Sequence, residues 1–179
     1  MNEFVFRILN SLILRSEIFD WIIFFLAQPL SLLAVLALGI YAVRKILEKY
    51  NGENGIKVLR KWSFVFGSAI VAWFIGGLLK EWLATPRPFI DLSNVNLLFP
   101  FGNHDSFPSG HVTFLSALAA GVYFFLNSKK LVWALGTGAV VVGLARVAAG
   151  IHWPFDIVGG IILGVAVSWF LFRVQKRYK

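Results

Sequence analysis

The chain has 179 residues, 58% of them hydrophobic, with a formal net charge of +8 and no cysteine. Soluble domains are typically about 45–50% apolar, so this composition excludes a soluble protein and predicts an all-α, polytopic membrane protein. Most of the excess Lys and Arg lies in short connections and at the C-terminus, which indicates membrane topology rather than a nucleic-acid surface, and the absence of cysteine excludes disulfides and thiolate metal sites.

The first segment, residues 1–27, is predicted to be an amphipathic lead-in at the membrane interface. Apolar side chains such as Phe4 and Ile8 recur at helical spacing, while Arg7 occupies the other face. A sixth, weakly hydrophobic crossing is the alternative for this segment. No small-residue cleavage site follows Met1, so we expect no removable signal peptide.

Apolar runs follow and predict about five membrane-spanning helices. They cover residues 29–43, 62–79, 112–126, 131–144 and 154–172. With their flanks, these runs approach the roughly 20 residues that a helix needs to cross the hydrocarbon core. A turn-prone break is expected at residues 52–55. The sequence contains no internal repeat and no low-complexity tract, so we predict one domain over residues 1–179.

The basic residues indicate how the bundle is oriented. Successive connections alternate between the two sides of the membrane, so the segments 44–61, 129–130 and 173–179 fall on one side. The positive-inside rule makes that side cytoplasmic. The opposite side then holds two connections, 85–108 and 150–153. The first of these is longer than an ordinary loop, as binding segments often are. We therefore expect the chemistry to face the outside, or periplasm, of the plasma membrane.

Two short motifs lie in or beside the longer connection. Lys80 and Arg87 are separated by six residues at the outer end of a span, where side chains that snorkel to the interface are the simplest explanation. Pro-Ser-Gly-His at 108–111 precedes the next helix, and Ser109 is predicted as its N-cap. The free N–H groups of such a first turn form an anion site. An ordinary capped helix with an interfacial histidine is the alternative.

A third motif lies at the shorter connection. Arg146 ends one apolar run, Pro154 suits the first turn of the next helix, and Asp156 follows His152 by four residues. A carboxylate at that spacing can accept a hydrogen bond from one imidazole nitrogen, so that the other presents a lone pair. This pattern predicts a nucleophilic His152. A structural Arg–Asp pair that closes the turn is the alternative.

Together, the three motifs bring cations, backbone donors and two imidazoles to one predicted depth, which favours a phosphoryl-transfer site. Their order and spacing resemble the type 2 phosphatidic acid phosphatase (PAP2) superfamily. Its signature is Lys-x6-Arg-Pro, then Pro-Ser-Gly-His, then Ser-Arg-x5-His-x3-Asp, and the resemblance covers roughly residues 60–175. One position departs from it, because Ala145 replaces the signature serine. The lost hydroxyl donor weakens phosphate binding by about 1.5–3 kcal/mol at most.

The resemblance implies a metal-independent membrane phosphatase without a cofactor. It assigns nucleophilic attack to His152, through a phosphohistidine intermediate, orientation of that imidazole to Asp156, and protonation of the leaving group to His111. The phosphoryl oxygens would be held by Lys80, Arg87, Ser109, the Gly110 amide and Arg146.

A site at the outer edge of a helical bundle suits a phosphorylated lipid whose tail stays in the bilayer. Among bacterial members of the family, small chains of this length resemble the undecaprenyl diphosphate phosphatases of cell-wall biogenesis. Undecaprenyl diphosphate is therefore the expected substrate. Phosphatidylglycerophosphate, phosphatidate and lipid A are the alternatives. A small channel or transporter would need ionisable groups along its spans, and residues 62–79 and 131–144 have none. A catalytically silent lipid-binding protein is suggested only by Ala145.

Overall fold

The structure is a computed structural model that describes residues 2–49, 53–100 and 104–178. Within those ranges the chain is helical and contains no β-strand, which confirms the all-α prediction. The helices are α1 (Asn2–Asn10), α2 (Glu17–Ala27), α3 (Pro29–Leu47), α4 (Glu53–Leu83), α5 (Pro88–Asp91), α6 (Gly110–Gly121), α7 (Lys129–Ala148) and α8 (Pro154–Arg177). One π-helical turn, Val122–Leu126, extends α6.

About five of these helices fit a membrane, as the sequence predicts. The helices α3, α4, α7 and α8 are long and apolar enough to cross it, and the unit Gly110–Leu126 is a shorter apolar helix. Their outer faces carry exposed large apolar side chains, including Trp73, Phe74, Ile162 and Phe170. Such a surface would be unstable in water and matches a lipid environment.

The predicted break at residues 52–55 is wrong for residues 53–55, which belong to α4. The helix extends beyond the apolar run because its basic first turns can lie among lipid headgroups while the backbone remains hydrogen-bonded. Gly52 lies outside the described residues. Residues 53–55 have a local preference for a turn, but they form part of a long helix in the folded protein.

The lead-in forms two short helices rather than one. Helix α1 has 9 residues and α2 has 11, so at 1.5 Å per residue each is too short to cross a bilayer alone. Between them the chain turns at Leu14, which has φ 60°. Phe6 is fully buried, and its ring lies 5.3 Å from that of Trp153, centroid to centroid. The segment therefore packs against the end of the bundle that carries the third motif.

Helix α6 is the central helix and packs against α4, α7 and α8. Its backbone comes very close to that of α8. A Cβ at Gly164 would lie only 2.5 Å from the Thr113 carbonyl oxygen, so the glycine allows this approach. The Ser109 backbone N–H also donates to the Asp156 carbonyl oxygen at 3.1 Å. These contacts hold the start of α6 against the start of α8, and so bring the second and third motifs together.

Candidate active site

His152 and Asp156 form a buried hydrogen-bonded pair where α8 begins. The His152 Nδ1 atom lies 2.9 Å from Asp156 Oδ2, and both residues are 1% exposed. Pro154 starts the helix, and the Asp156 carboxylate accepts the backbone N–H of Trp153, the N-cap residue, at 2.7 Å. Because Nδ1 donates to the carboxylate, the lone pair is on Nε2. This geometry matches the pairing that the sequence predicts.

Ser106 is a member of this cluster that the sequence analysis missed. Its fully buried hydroxyl donates to the same Asp156 Oδ2 and lies 3.4 Å from His152 Nδ1. Its backbone N–H donates to the Thr85 carbonyl oxygen at 2.8 Å, which fixes the loop. Ser106 lies in irregular chain two residues before Pro108, where periodicity carries no information. Only its closeness to the second motif could have indicated it.

Arg87 lies beside the lone-pair nitrogen of His152. Its Nη1 atom is 3.4 Å from His152 Nε2 and donates to the Ile151 carbonyl oxygen. The residue is 2% exposed, and this burial lowers the pKa of the guanidinium to about 10, so it remains a cation at neutral pH. A positive charge therefore adjoins the atom that would attack phosphorus.

Lys80 extends from the last turn of α4 into the same cluster. Its Nζ atom donates to the carbonyl oxygens of Asp105 and Ser106, at 3.2 and 3.0 Å. The lysine therefore contributes a charge and also holds the loop that carries the Ser106 hydroxyl.

Arg146, near the end of α7, is 1% exposed and bonds to the lead-in segment. Its Nη1 atom donates to the Ala27 carbonyl oxygen at 2.9 Å and to Gln28 Oε1 at 3.1 Å. The α2–α3 junction thus contacts a signature residue, which the sequence analysis did not anticipate. Ala145, next to it, is buried in an apolar cluster with Ile13 and Ile23. A methyl group at Ala145 suits those neighbours.

Ser109 occupies the predicted N-cap position of α6, but its side chain does not cap the helix. Its hydroxyl is buried and has no hydrogen-bond partner within the described ranges. The Ser109 carbonyl oxygen accepts a hydrogen bond from the Thr113 hydroxyl. A buried hydroxyl without a partner costs free energy unless a ligand or water satisfies it. Together with the Gly110 amide at the helix N-terminus, Ser109 is suited to bind an anionic oxygen.

The pKa of His152 depends on its burial and on nearby ionisable groups. Burial lowers its pKa well below 6.5, and the nearby Arg146, Arg87, Lys80 and His111 lower it further, in that order. His152 is therefore neutral at neutral pH. The surrounding cations suit a phosphate, whereas Mg²⁺ prefers oxygen ligands. The described residues contain no group of three or more His, Asp or Glu arranged to hold a metal ion.

An apolar groove of about 800 Å³ lies between α3, α4 and α6 and reaches Gly110 and His111 at the start of α6. Its polar groups include Gln28 and His111. Its walls are formed by Leu32, Val35, Ile70, Trp73, Phe114 and Leu115. The groove therefore joins the lipid-facing surface of the bundle to one of the two signature histidines.

Comparisons with known proteins identify the family of this chain. A family model described as the PAP2 superfamily matches residues 60–179. Bacitracin transport permease protein BcrC of Bacillus licheniformis is 28% identical over 172 residues, covering 96% of this chain and 79% of the relative. Undecaprenyl-diphosphatase BcrC of Bacillus subtilis (strain 168) is 28% identical over 184 residues, covering 97% and 83%.

A solved structure has the same fold. It is the first transmembrane PAP2-type phosphatidylglycerolphosphate phosphatase from Bacillus subtilis, with a TM-score of 0.66 and 22% identity. The match covers 99% of this chain and 85% of the other. At that identity the likeness shows a shared fold.

Proposed function

The chain belongs to the PAP2 superfamily, and on that premise we propose that it hydrolyses the terminal phosphate of undecaprenyl diphosphate, to give undecaprenyl phosphate. Family membership makes it a multi-pass membrane lipid phosphatase, which is a hydrolase of phosphate esters. The observation that carries the proposal is the buried His152–Asp156 pair, surrounded by cations beside a lipid-facing groove.

In the proposed mechanism, the His152 Nε2 lone pair attacks the terminal phosphorus. The bond from phosphorus to the bridging oxygen breaks, and His111, which takes up a proton when the anionic diphosphate binds, donates it to that oxygen. Asp156 stabilises the imidazolium through its hydrogen bond to Nδ1–H. Water then attacks phospho-His152, gives its proton to His111, and phosphate leaves. Both histidines return to their starting states.

The cations and helix N-terminus stabilise the charge that spreads over the phosphoryl oxygens. Arg87 adjoins Nε2, and the Ser109 hydroxyl has no competing partner within the described ranges. Lys80 and Arg146 add positive charge from α4 and α7. These groups supply the electrostatic stabilisation that a metal ion provides in other phosphatases, so we propose a metal-independent reaction.

Two features support a polyprenyl diphosphate as the substrate. The apolar groove, with a volume of about 800 Å³, suits part of a lipid tail, and one relative is an undecaprenyl-diphosphatase by name. Phosphatidylglycerophosphate, phosphatidate and lipid A remain the alternative substrates of the same catalytic residues. Another relative is a transport permease by name. A silent lipid-binding protein or a transporter would occupy the membrane without releasing phosphate.

The test is phosphate release by the purified protein in detergent micelles. The panel consists of undecaprenyl diphosphate, phosphatidate, phosphatidylglycerophosphate and lipid A. We expect the largest kcat/KM for undecaprenyl diphosphate. A larger value for one of the others would reassign the substrate, and no release from any of them would leave a transporter or silent lipid-binding protein.

A further inference from the structure

Gln28, in the junction between α2 and α3, has an amide whose orientation is fixed. Its Oε1 atom accepts a hydrogen bond from Arg146 Nη1 at 3.1 Å. A guanidinium only donates hydrogen bonds, so the amide oxygen must face Arg146 and the NH₂ group must face away. Ala27 reinforces this arrangement, because its carbonyl oxygen accepts from the same nitrogen at 2.9 Å. Gln28 therefore has N–H donors directed away from Arg146.

The same residue lines the apolar groove together with His111. In the proposed mechanism His111 protonates the leaving oxygen, so the leaving group lies on the groove side of the scissile bond. For a lipid diphosphate, that leaving group is the lipid-bearing phosphate, which carries charged oxygens. For a lipid monophosphate, it is an alcohol whose first carbon atoms replace those oxygens.

We propose that the Gln28 amide N–H binds the lipid-bearing phosphate and so makes the site selective for lipid diphosphates over monophosphates. The inference rests on the proposed function and deepens it. The two roles of Gln28 are separable, because its oxygen supports Arg146 for any substrate while its nitrogen contacts only a second phosphate. A hydrogen bond from a neutral donor to a charged oxygen corresponds to about tenfold or more in kcat/KM.

The experiment compares two substrates with the same tail, farnesyl diphosphate and farnesyl phosphate. Gln28→Glu keeps an oxygen facing Arg146 and replaces the N–H donors by a carboxylate oxygen, which repels phosphate. We expect its kcat/KM for the diphosphate to fall at least about tenfold further than its kcat/KM for the monophosphate. Gln28→Asn, which keeps the amide but withdraws it by one methylene, is the second variant and should shift the ratio in the same direction.

Gln175→Glu is the matched control, because Gln175 lies near the opposite end of α8 from His152. Its ratio should equal that of the wild type. Equal losses on both substrates in the Gln28 variants would show that Gln28 only supports Arg146, and would overturn the inference, as would an unchanged ratio. Failure of the wild type to hydrolyse farnesyl diphosphate while it hydrolyses farnesyl phosphate would instead overturn the diphosphatase function, and the inference with it.

Discussion

Three hydrogen-bond donors meet at a single carboxylate oxygen, Asp156 Oδ2. They are the His152 imidazole, the Trp153 backbone N–H and the Ser106 hydroxyl. With this many donors the carboxylate has little freedom to rotate, so the imidazole that it orients is also fixed. Ser106 acts through Asp156 and is therefore a positioning residue.

We predict that Ser106→Ala lowers kcat about tenfold and leaves KM within about twofold, because it removes one hydrogen bond to a charged group without touching the groove. Ser106→Thr, which retains the hydroxyl, should recover part of the loss. Steady-state kinetics in detergent tests this, with Ser63→Ala as the control because the Ser63 hydroxyl is exposed and bonds only its own helix. Unchanged kinetics in Ser106→Ala would contradict a positioning role for Ser106.

The low pKa of His152 predicts how activity depends on pH. The imidazole that we propose as the nucleophile is neutral, and it is protonated only as the pH falls through its pKa in the folded protein, which burial and the nearby cations hold well below 6.5. We therefore expect the acid limb of kcat/KM to lie below pH 6.5. The measurement corrects for substrate ionisation by ³¹P NMR titration. An acid limb centred at or above pH 6.5 would contradict this electrostatic account.

At the scale of elements, the turn that carries His152 is held by α1 and by the loop between α5 and α6. Asn10 Nδ2 donates to the carbonyl oxygens of Asn96 at 2.7 Å and Ala148 at 2.9 Å, and the Asn96 backbone N–H donates to Asn10 Oδ1 at 2.9 Å. Gly150 lies beneath these bonds with φ +87°, and a Cβ there would be 2.3 Å from the Asn96 carbonyl oxygen. Only glycine fits this position without displacing the loop.

We predict that Gly150→Ala destabilises the protein by about 1–3 kcal/mol or more and lowers activity, because it strains the backbone and pushes the loop away from the His152 turn. Thermal unfolding and kinetics in detergent test both effects. Gly39→Ala is the matched control, since a Cβ at Gly39 would meet no atom within 4 Å. Equal melting temperatures for the two variants would contradict the close contact at Gly150.

At the scale of the whole molecule, the sequence predicted the architecture better than the connections between its parts. Apolar runs and basic loops were enough to predict an all-α bundle of about five spans, with three motifs at one end. The Arg146–Gln28 bond and the burial of Phe6 were not predictable, because they join segments more than 100 residues apart and leave no local pattern. Ser106 was missed because irregular loops carry no periodicity.

The orientation of the bundle can be tested because the chain has no cysteine. We propose from the positive-inside rule that the active site faces outward. A cysteine introduced at the exposed His104 should then react with an impermeant maleimide added to intact cells. A cysteine at exposed Lys130, on the predicted cytoplasmic side, should react only after permeabilisation. The reverse pattern would invert the proposed topology.

We propose that His152 attacks phosphorus without the help of a metal ion. The most direct measurement is phosphate release from undecaprenyl diphosphate in excess EDTA by the wild type, His152→Ala and His104→Ala. We expect full activity in the wild type and in His104→Ala, and a loss of about 1,000-fold or more in His152→Ala. Activity that disappears in EDTA and returns with Mg²⁺, or that survives in His152→Ala, would contradict the mechanism.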